Sequence, residues 1–87
     1  MAQEAFEQLT NEWVALSDII TVDSSKTYYI QNRGADVLLA VESASEPTSL
    51  DGVLVKPYEV LKYQEGTDPL YLKAYNSNCS INITSEG

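Results

Sequence analysis

The chain has 87 residues, which is enough for one small domain, and thirteen acidic against five basic residues give a formal net charge of -8 at pH 7. The single cysteine, Cys79, excludes an internal disulfide, and the absence of histidine excludes a zinc site of histidine and cysteine. The scattered basic residues form no basic patch, so we expect no nucleic-acid partner. Because a core this small is marginal, we expect self-association to add stability.

Residues 1–11 are predicted to form an N-terminal arm or short helix. Ala2, Phe6 and Leu9 recur at helical spacing, with acidic and amide side chains between them. A helix of fewer than roughly 12 residues is marginal in water, so the segment either packs on the domain or lies on a neighbour. It lacks the charged leader and apolar block of a signal peptide, and no apolar run approaches the roughly 20 residues of a membrane helix. We therefore expect synthesis in the cytoplasm and no membrane association.

Residues 12–87 are predicted to form a single β-sandwich domain. Short runs of alternating, β-branched and aromatic residues are separated by polar turns. The predicted strands are residues 12–16, 19–22, 27–32, 37–42, 53–56, 60–63, 70–75 and 79–84. Seven to eight short strands of this kind are typical of an all-β fold, a small antiparallel β-sandwich or barrel.

Two pairs of strands are predicted to be β-hairpins. Residues 27–42 form the central one, because Asn32 and Gly34 tolerate the positive φ of a tight connection. Residues 70–84 form the second, through a turn at residues 76–78. The residues of the central hairpin that are predicted to point into the core are Tyr28, Ile30, Val37, Leu39 and Val41.

The residue inventory carries no catalytic signature. Without histidine there is no Ser-His or Cys-His pair, and the acidic residues lie almost wholly in predicted turns. Cys79 is in phase with Ile81 and Ile83, which predicts a core residue rather than a reactive thiolate. The isolated glycines form no phosphate cradle. We expect no enzymatic activity, no catalytic residue, no metal site and no cofactor.

Tyrosine is the informative surface residue. Tyr29, Tyr71 and Tyr75 are predicted on the polar faces of strands, where a tyrosine ring offers a large contact area at low entropic cost. With Phe6 and Leu9 of the N-terminal segment, they are the predicted partner-binding residues. In the alternative interpretation, the rings cover a sheet or stabilise cross-strand pairs.

The order of these motifs carries a family resemblance. Trp13 precedes a short strand, and an early strand contains tyrosine, isoleucine, glutamine and asparagine in sequence. A late strand at residues 70–74 contains leucine, tyrosine, leucine, lysine and alanine. From about Trp13 to Thr84, with Gly34 and the strands at residues 37–42 and 52–55, the chain resembles small bacteriophage virion proteins, which are tail-fibre-associated or capsid-decorating β-domains.

The resemblance implies a structural component of a virion, made in the bacterial host cytoplasm. Its partners would be capsid or tail proteins of a phage particle, and it would act as a homo-oligomer, a trimer being one form. Two alternatives stay open. One is a receptor- or carbohydrate-binding module at a tail fibre, and the other is a small acidic cytosolic regulator or inhibitor.

Overall fold

The structure is a computed structural model that describes residues 2–87. The elements are β1 (Ala2–Leu9), β2 (Val14–Ala15), α1 (Leu16–Ile19), β3 (Thr27–Ala35), β4 (Leu38–Glu42), β5 (Val53–Val55), β6 (Val60–Gln64), β7 (Leu70–Ala74) and β8 (Cys79–Glu86). Sheet A has the strand order β1-β8-β3-β6 and sheet B the order β2-β7-β4-β5, with all pairs antiparallel. This order is that of the jelly roll, in which two four-stranded sheets pack face to face. The prediction of a small all-β sandwich is confirmed.

The N-terminal segment is a strand and not a helix. β1 pairs with β8 at one edge of sheet A, and the alternation of a strand puts Leu9 in the core and Phe6 on the outer face. A segment this short cannot hold a helix alone, so pairing with β8 decides its conformation. The predicted arm on a neighbour is therefore part of its own fold, although Met1 lies outside the described residues.

One hydrophobic core lies between the sheets. Tyr28 and Ile30 of β3 and Ile81 and Ile83 of β8 are its fully buried members from the middle of sheet A. The rest of the cluster comes from both sheets and from α1: Leu9, Leu16, Leu38, Ala40, Val55, Tyr63, Leu70, Leu72, Ala74 and Cys79. The molecule is 18 Å across its shortest axis, which matches two sheets packed about 10 Å apart with their outer side chains.

The predicted central hairpin is wrong, because β3 and β4 lie in different sheets. Gly34 (φ 116°) and Ala35 (φ 74°) take left-handed conformations, and the register of β3 against β8 shifts between Asn32 and Ala35. The chain therefore crosses from sheet A to sheet B at this bend instead of folding back on β3.

The crossing also inverts the facing of β4. Leu38 and Ala40 point into the core, so Leu39 and Val41 point outward, opposite to the prediction for both residues. Val37, just before β4, lies on the same outward side and is half-buried. The predicted hairpin of the last two strands is wrong for the same reason, because β7 lies in sheet B and β8 in sheet A.

The region after β1 departs from the two strands predicted at residues 12–16 and 19–22. β2 keeps two residues, and α1 is a single helical turn in which the Ile20 N–H donates to the Leu16 carbonyl (3.0 Å). Ile19, Ile20 and Val22 still pack against the core. Their apolar character thus indicates burial at the end of the sandwich rather than a strand.

A buried asparagine joins the two sheets. The side-chain amide of Asn32 donates to the carbonyls of Asp36 (2.8 Å) and Val55 (2.9 Å), and its Oδ1 accepts from the Gly34 N–H (2.9 Å). Its own main chain bonds the β5–β6 corner, since its carbonyl accepts from the Tyr58 N–H (2.6 Å). The side chain and main chain of Asn32 therefore tie the crossing between β3 and β4 to the crossing between β5 and β6.

Candidate functional site

The predicted partner-binding residues fall on opposite faces of the sandwich. Phe6 and Tyr29 lie on the outer face of sheet A, whereas Tyr71 and Tyr75 lie on the outer side of sheet B. Leu9 is 3% exposed and belongs to the core, so it is not available to a partner. The residues that the sequence analysis grouped as one set of partner-binding residues therefore lie on two separate surfaces, with Leu9 in the core.

The outer face of sheet B is apolar. Strand register puts Leu39 between Leu54 and Lys73, and Val41 beside Tyr71. Trp13 continues this face before β2, because the Lys73 Nζ lies 5.4 Å from the centre of its ring. We call this surface the sheet B face: Trp13, Leu39, Val41, Leu54, Tyr71 and Lys73.

Two leucines of the sheet B face differ in exposure although they are cross-strand partners. Leu39 is 0% exposed, because its neighbours and the backbone at Gly52 cover it, whereas Leu54 is 53% exposed. Leu50 and Val53, which precede Leu54 in the chain, are also more than half exposed, although Val53 pairs with inward-facing Ala40 and so lies on the other face of β5. The face therefore has a packed centre and an exposed apolar margin at β5.

The sheet B face carries little charge of its own. Its six members include one charged side chain, Lys73, and no carboxylate, in a chain with a net charge of -8. Glu42 follows Val41 in β4, but the alternation of the strand turns it to the other side, where burial and the carboxylates of Glu42 and Glu65 raise the pKa of Tyr63. The apolar side chains of the face therefore have no carboxylate among them.

The outer face of sheet A is polar and holds a shallow depression of about 320 Å³. Its lining residues come from three strands: Tyr29, Gln31, Val60, Asn82 and Thr84. Register places Gln31 between Asn82 and Val60 in one row across the sheet, with Phe6 beyond Asn82 at the edge strand. All five lining residues are uncharged, in a chain with a net charge of -8.

Neighbouring groups hold the two amides of the depression. Gln31 Nε2 donates to the Tyr58 carbonyl (3.1 Å), and Asn82 Oδ1 accepts from Gln3 Nε2 (2.6 Å). Tyr58 itself has φ 69°, which is unusual for a bulky side chain, and its ring is 67% exposed. The depression is thus bordered by a strained, exposed aromatic residue.

The surroundings of the cysteine keep its thiol in the protonated form. Cys79 is buried, and burial together with the nearby Asp36 carboxylate raises its pKa to about 11, so the thiol stays protonated at neutral pH. Within residues 2–87, no three of the histidine, cysteine, aspartate or glutamate side chains are grouped to hold a metal ion. In the same residues, no helix is both long and apolar enough to cross a membrane.

Asp36 has a structural part in this region. Burial opposes its ionisation, but the N–H groups of Ser77 (2.8 Å), Asn76 and Val37 (2.7 Å) donate to the carboxylate and lower its pKa. The carboxylate therefore ties the turn between β7 and β8 to the start of β4. This role explains one acidic residue that the sequence alone assigned to a turn.

Sequence reasoning missed most of both surfaces. Gln31, Asn82 and Thr84 lie on the outward positions of β3 and β8, and their alternation with apolar residues was the available signal. The continuous apolar run through Leu39 indicated a strand covered on both sides, because a strand with one solvated face alternates.

Comparison of the chain with protein-family models, with curated proteins and with solved structures found no match.

Proposed function

We propose that this chain is a non-enzymatic structural protein of a bacteriophage particle, and that it docks on a capsid or tail protein through the sheet B face. The observation that carries the proposal is the apolar character of that face, with Leu54 53% exposed beside fully buried Leu39. Contiguous exposed apolar surface of this kind marks protein–protein contact sites. Docking would remove the margin at β5 from water.

The net charge of the chain supports a partner with basic residues around an apolar centre. The chain carries a net charge of -8, and attraction between opposite charges speeds association with a basic partner. A second copy of this chain would bring the same net charge to the contact, which opposes self-association through this face. Homo-oligomerisation, including a trimer, remains a separate prediction.

The energy of one contact need not be large. Burial of apolar surface contributes roughly 25 cal/mol per Å², and only the excess over the cost of immobilisation appears as affinity. On a symmetric particle the same weak contact is repeated at many equivalent positions, so avidity adds to the affinity of each copy. The jelly-roll architecture accords with this role, since capsid domains use it, although lectin domains use it as well.

The experiment is binding of the purified protein to virus particles of its source, measured by co-sedimentation and by cryo-electron microscopy of the decorated particles. Leu54→Asp should reduce occupancy at least tenfold, because it puts a charge in the apolar margin. Gln64→Asp adds the same charge at an exposed position of β6 in sheet A and should leave occupancy within about twofold.

Three outcomes would count against the proposal. Full occupancy by the Leu54→Asp protein would show that the sheet B face is not the docking surface. Detection of the protein in host cytosol and never in purified particles would instead favour the acidic regulator. Glycan binding that is lost in Tyr71→Ala and Tyr75→Ala would favour a receptor-binding module acting through sheet B.

A further inference from the structure

The depression on the outer face of sheet A combines an apolar wall with oriented amides. Tyr29 contributes an aromatic ring and Val60 an aliphatic side chain, and both are outward residues of neighbouring strands. A pyranose ring has the same division, with an apolar C–H face and hydroxyl groups at its edge. The volume of about 320 Å³ lies at the lower end of the range for small-molecule sites.

The hydrogen bonds around the depression decide which amide atoms face a ligand. Gln31 uses an Nε2 hydrogen on the Tyr58 carbonyl (3.1 Å), which leaves its Oε1 as an acceptor. Asn82 uses its Oδ1 to accept from Gln3 (2.6 Å), which leaves both Nδ2 hydrogens as donors. One side chain therefore offers an acceptor and its neighbour offers donors.

These two amides are directly opposite each other on β3 and β8. Cross-strand partners have Cβ atoms about 5 Å apart, which is the reach of two adjacent hydroxyl groups. A hydroxyl donates and accepts, so one hydroxyl of a vicinal diol donates to Gln31 while the other accepts from Asn82. Within residues 2–87, the hydroxyls of Tyr29 and Thr84 make no side-chain hydrogen bond and add further polar contacts.

The charge of the lining selects against an ionic ligand. All five lining side chains are neutral. Lys62, the cross-strand partner of Tyr29, stands outside the lining set. A carboxylate or phosphate would lose hydration in the depression without a charge-assisted hydrogen bond from its lining.

We infer that the depression formed by Tyr29, Gln31, Val60, Asn82 and Thr84 is a binding site for a neutral saccharide, which it recognises through a vicinal diol held between Gln31 and Asn82. The site does not depend on the proposed docking function, because it lies on the opposite face of the sandwich. A molecule docked through the sheet B face would present it to solvent.

The test is titration of the ¹⁵N-labelled protein with methyl β-glucoside, methyl β-galactoside and methyl α-mannoside, followed by NMR. At least one glycoside should bind with a Kd of about 1–10 mM and shift the side-chain NH₂ signals of Gln31 and Asn82. The 2,3-dideoxy derivative of that glycoside lacks the diol and should bind at least about tenfold more weakly, as should methyl glucuronide, which adds a carboxylate.

Variants locate the site. Asn82→Ala and Tyr29→Ala should each weaken binding about tenfold or more, whereas Asn78→Ala, an exposed asparagine in the turn before β8, should leave the Kd unchanged. The amide spectrum of each variant reports whether that variant is folded. If either the Asn82→Ala or the Tyr29→Ala protein is unfolded, Thr84→Val replaces it as a test of the same depression.

The docking variant separates this inference from the proposed function. Leu54→Asp should keep full saccharide affinity while it loses particle binding. The inference is overturned if none of the three glycosides gives a saturable shift, if the dideoxy derivative binds equally well, or if the glucuronide binds more tightly. It is also overturned if Asn82→Ala binds as the parent does.

Discussion

The two outer faces of the sandwich are built by the same alternation of residues but differ in chemistry. In the middle of β3 and β8 in sheet A, the outward residues are amides and hydroxyls around Tyr29, whereas those of β4 and β7 in sheet B are Leu39, Val41, Tyr71 and Lys73. A polar outer face needs no cover, while an apolar one gains free energy when it is covered. The same fold can therefore carry two outer faces of different chemistry, a polar one that suits a small polar ligand and an apolar one that suits a protein partner.

The largest loss of stability is expected from a change at Asn32, the buried residue that links the two sheets. Asn32→Ala removes the donors to the Asp36 and Val55 carbonyls and the acceptor for the Gly34 N–H, leaving buried main-chain groups without partners. We expect a loss of about 4 kcal/mol in the free energy of unfolding, most of the stability of a small domain. Chemical denaturation measures it.

Asn78→Ala is the control for that change. Because Asn78 is exposed, its substitution should lower the free energy of unfolding by less than about 0.5 kcal/mol. Equal stability of the Asn32→Ala protein and the parent would mean that the crossings between the sheets do not depend on this amide.

The next effect compares the two leucine partners of the sheet B face. Leu39→Ala empties a fully buried site and should reduce the free energy of unfolding by about 3 kcal/mol. Leu54→Ala truncates a side chain that is 53% exposed and should cost less than about 1 kcal/mol, yet it should weaken particle binding more than any stability change explains. Paired denaturation and co-sedimentation measure both.

A Leu54→Ala loss as large as that of Leu39→Ala would mean that β5 is part of the packed interior. The sheet B face would then have no exposed apolar margin with which to dock.

The smallest effect is the dependence of stability on pH. The pKa of Asp36 is lowered in the folded protein from its ordinary value of 3.8, so its contribution to stability is complete above about pH 4 and is lost as pH falls through the folded-state value. Asp36→Asn should lower the free energy of unfolding at neutral pH by about 1 kcal/mol and should reduce its fall on acidification. Urea denaturation from pH 7 to pH 2 measures both.

Asp68→Asn is the control. Main-chain N–H groups donate to the carboxylate of Asp36, whereas within residues 2–87 the carboxylate of Asp68 accepts no such hydrogen bond. An acid profile of the Asp36→Asn protein that is parallel to that of the parent would contradict the assignment.

Local sequence pattern predicted most strands but not their partners. The alternation in β7 and β8 identifies their inward residues correctly, because that pattern is local. The pairing of β3 was missed because β4, the next strand in the chain, lies in the other sheet. Residues with positive φ such as Gly34 and Ala35 occur both in hairpin turns and in bends between sheets, so they do not distinguish the two. β1 was missed because its partner, β8, is at the other end of the chain.

The candidate sites follow the same division. The outward facing of Tyr29 followed from the alternation of its own strand, but the depression required the register that sets Gln31 against Asn82. The outward facing of Leu39 likewise required knowledge that β3 and β4 are not partners, because a shift of one residue exchanges the two faces of a strand.

The position of β8 has a consequence for synthesis. Within residues 2–87, β8 comes last in sequence and lies between β1 and β3 in sheet A, and β4 with β5 is the one pair of consecutive strands that are also neighbours in a sheet. Long loop closures make such topologies slow to fold, and the nascent chain has only the β4–β5 pairing to form locally. Sheet A therefore cannot be completed until β8 has left the ribosome, and until then β1 and β3 lack the strand that lies between them.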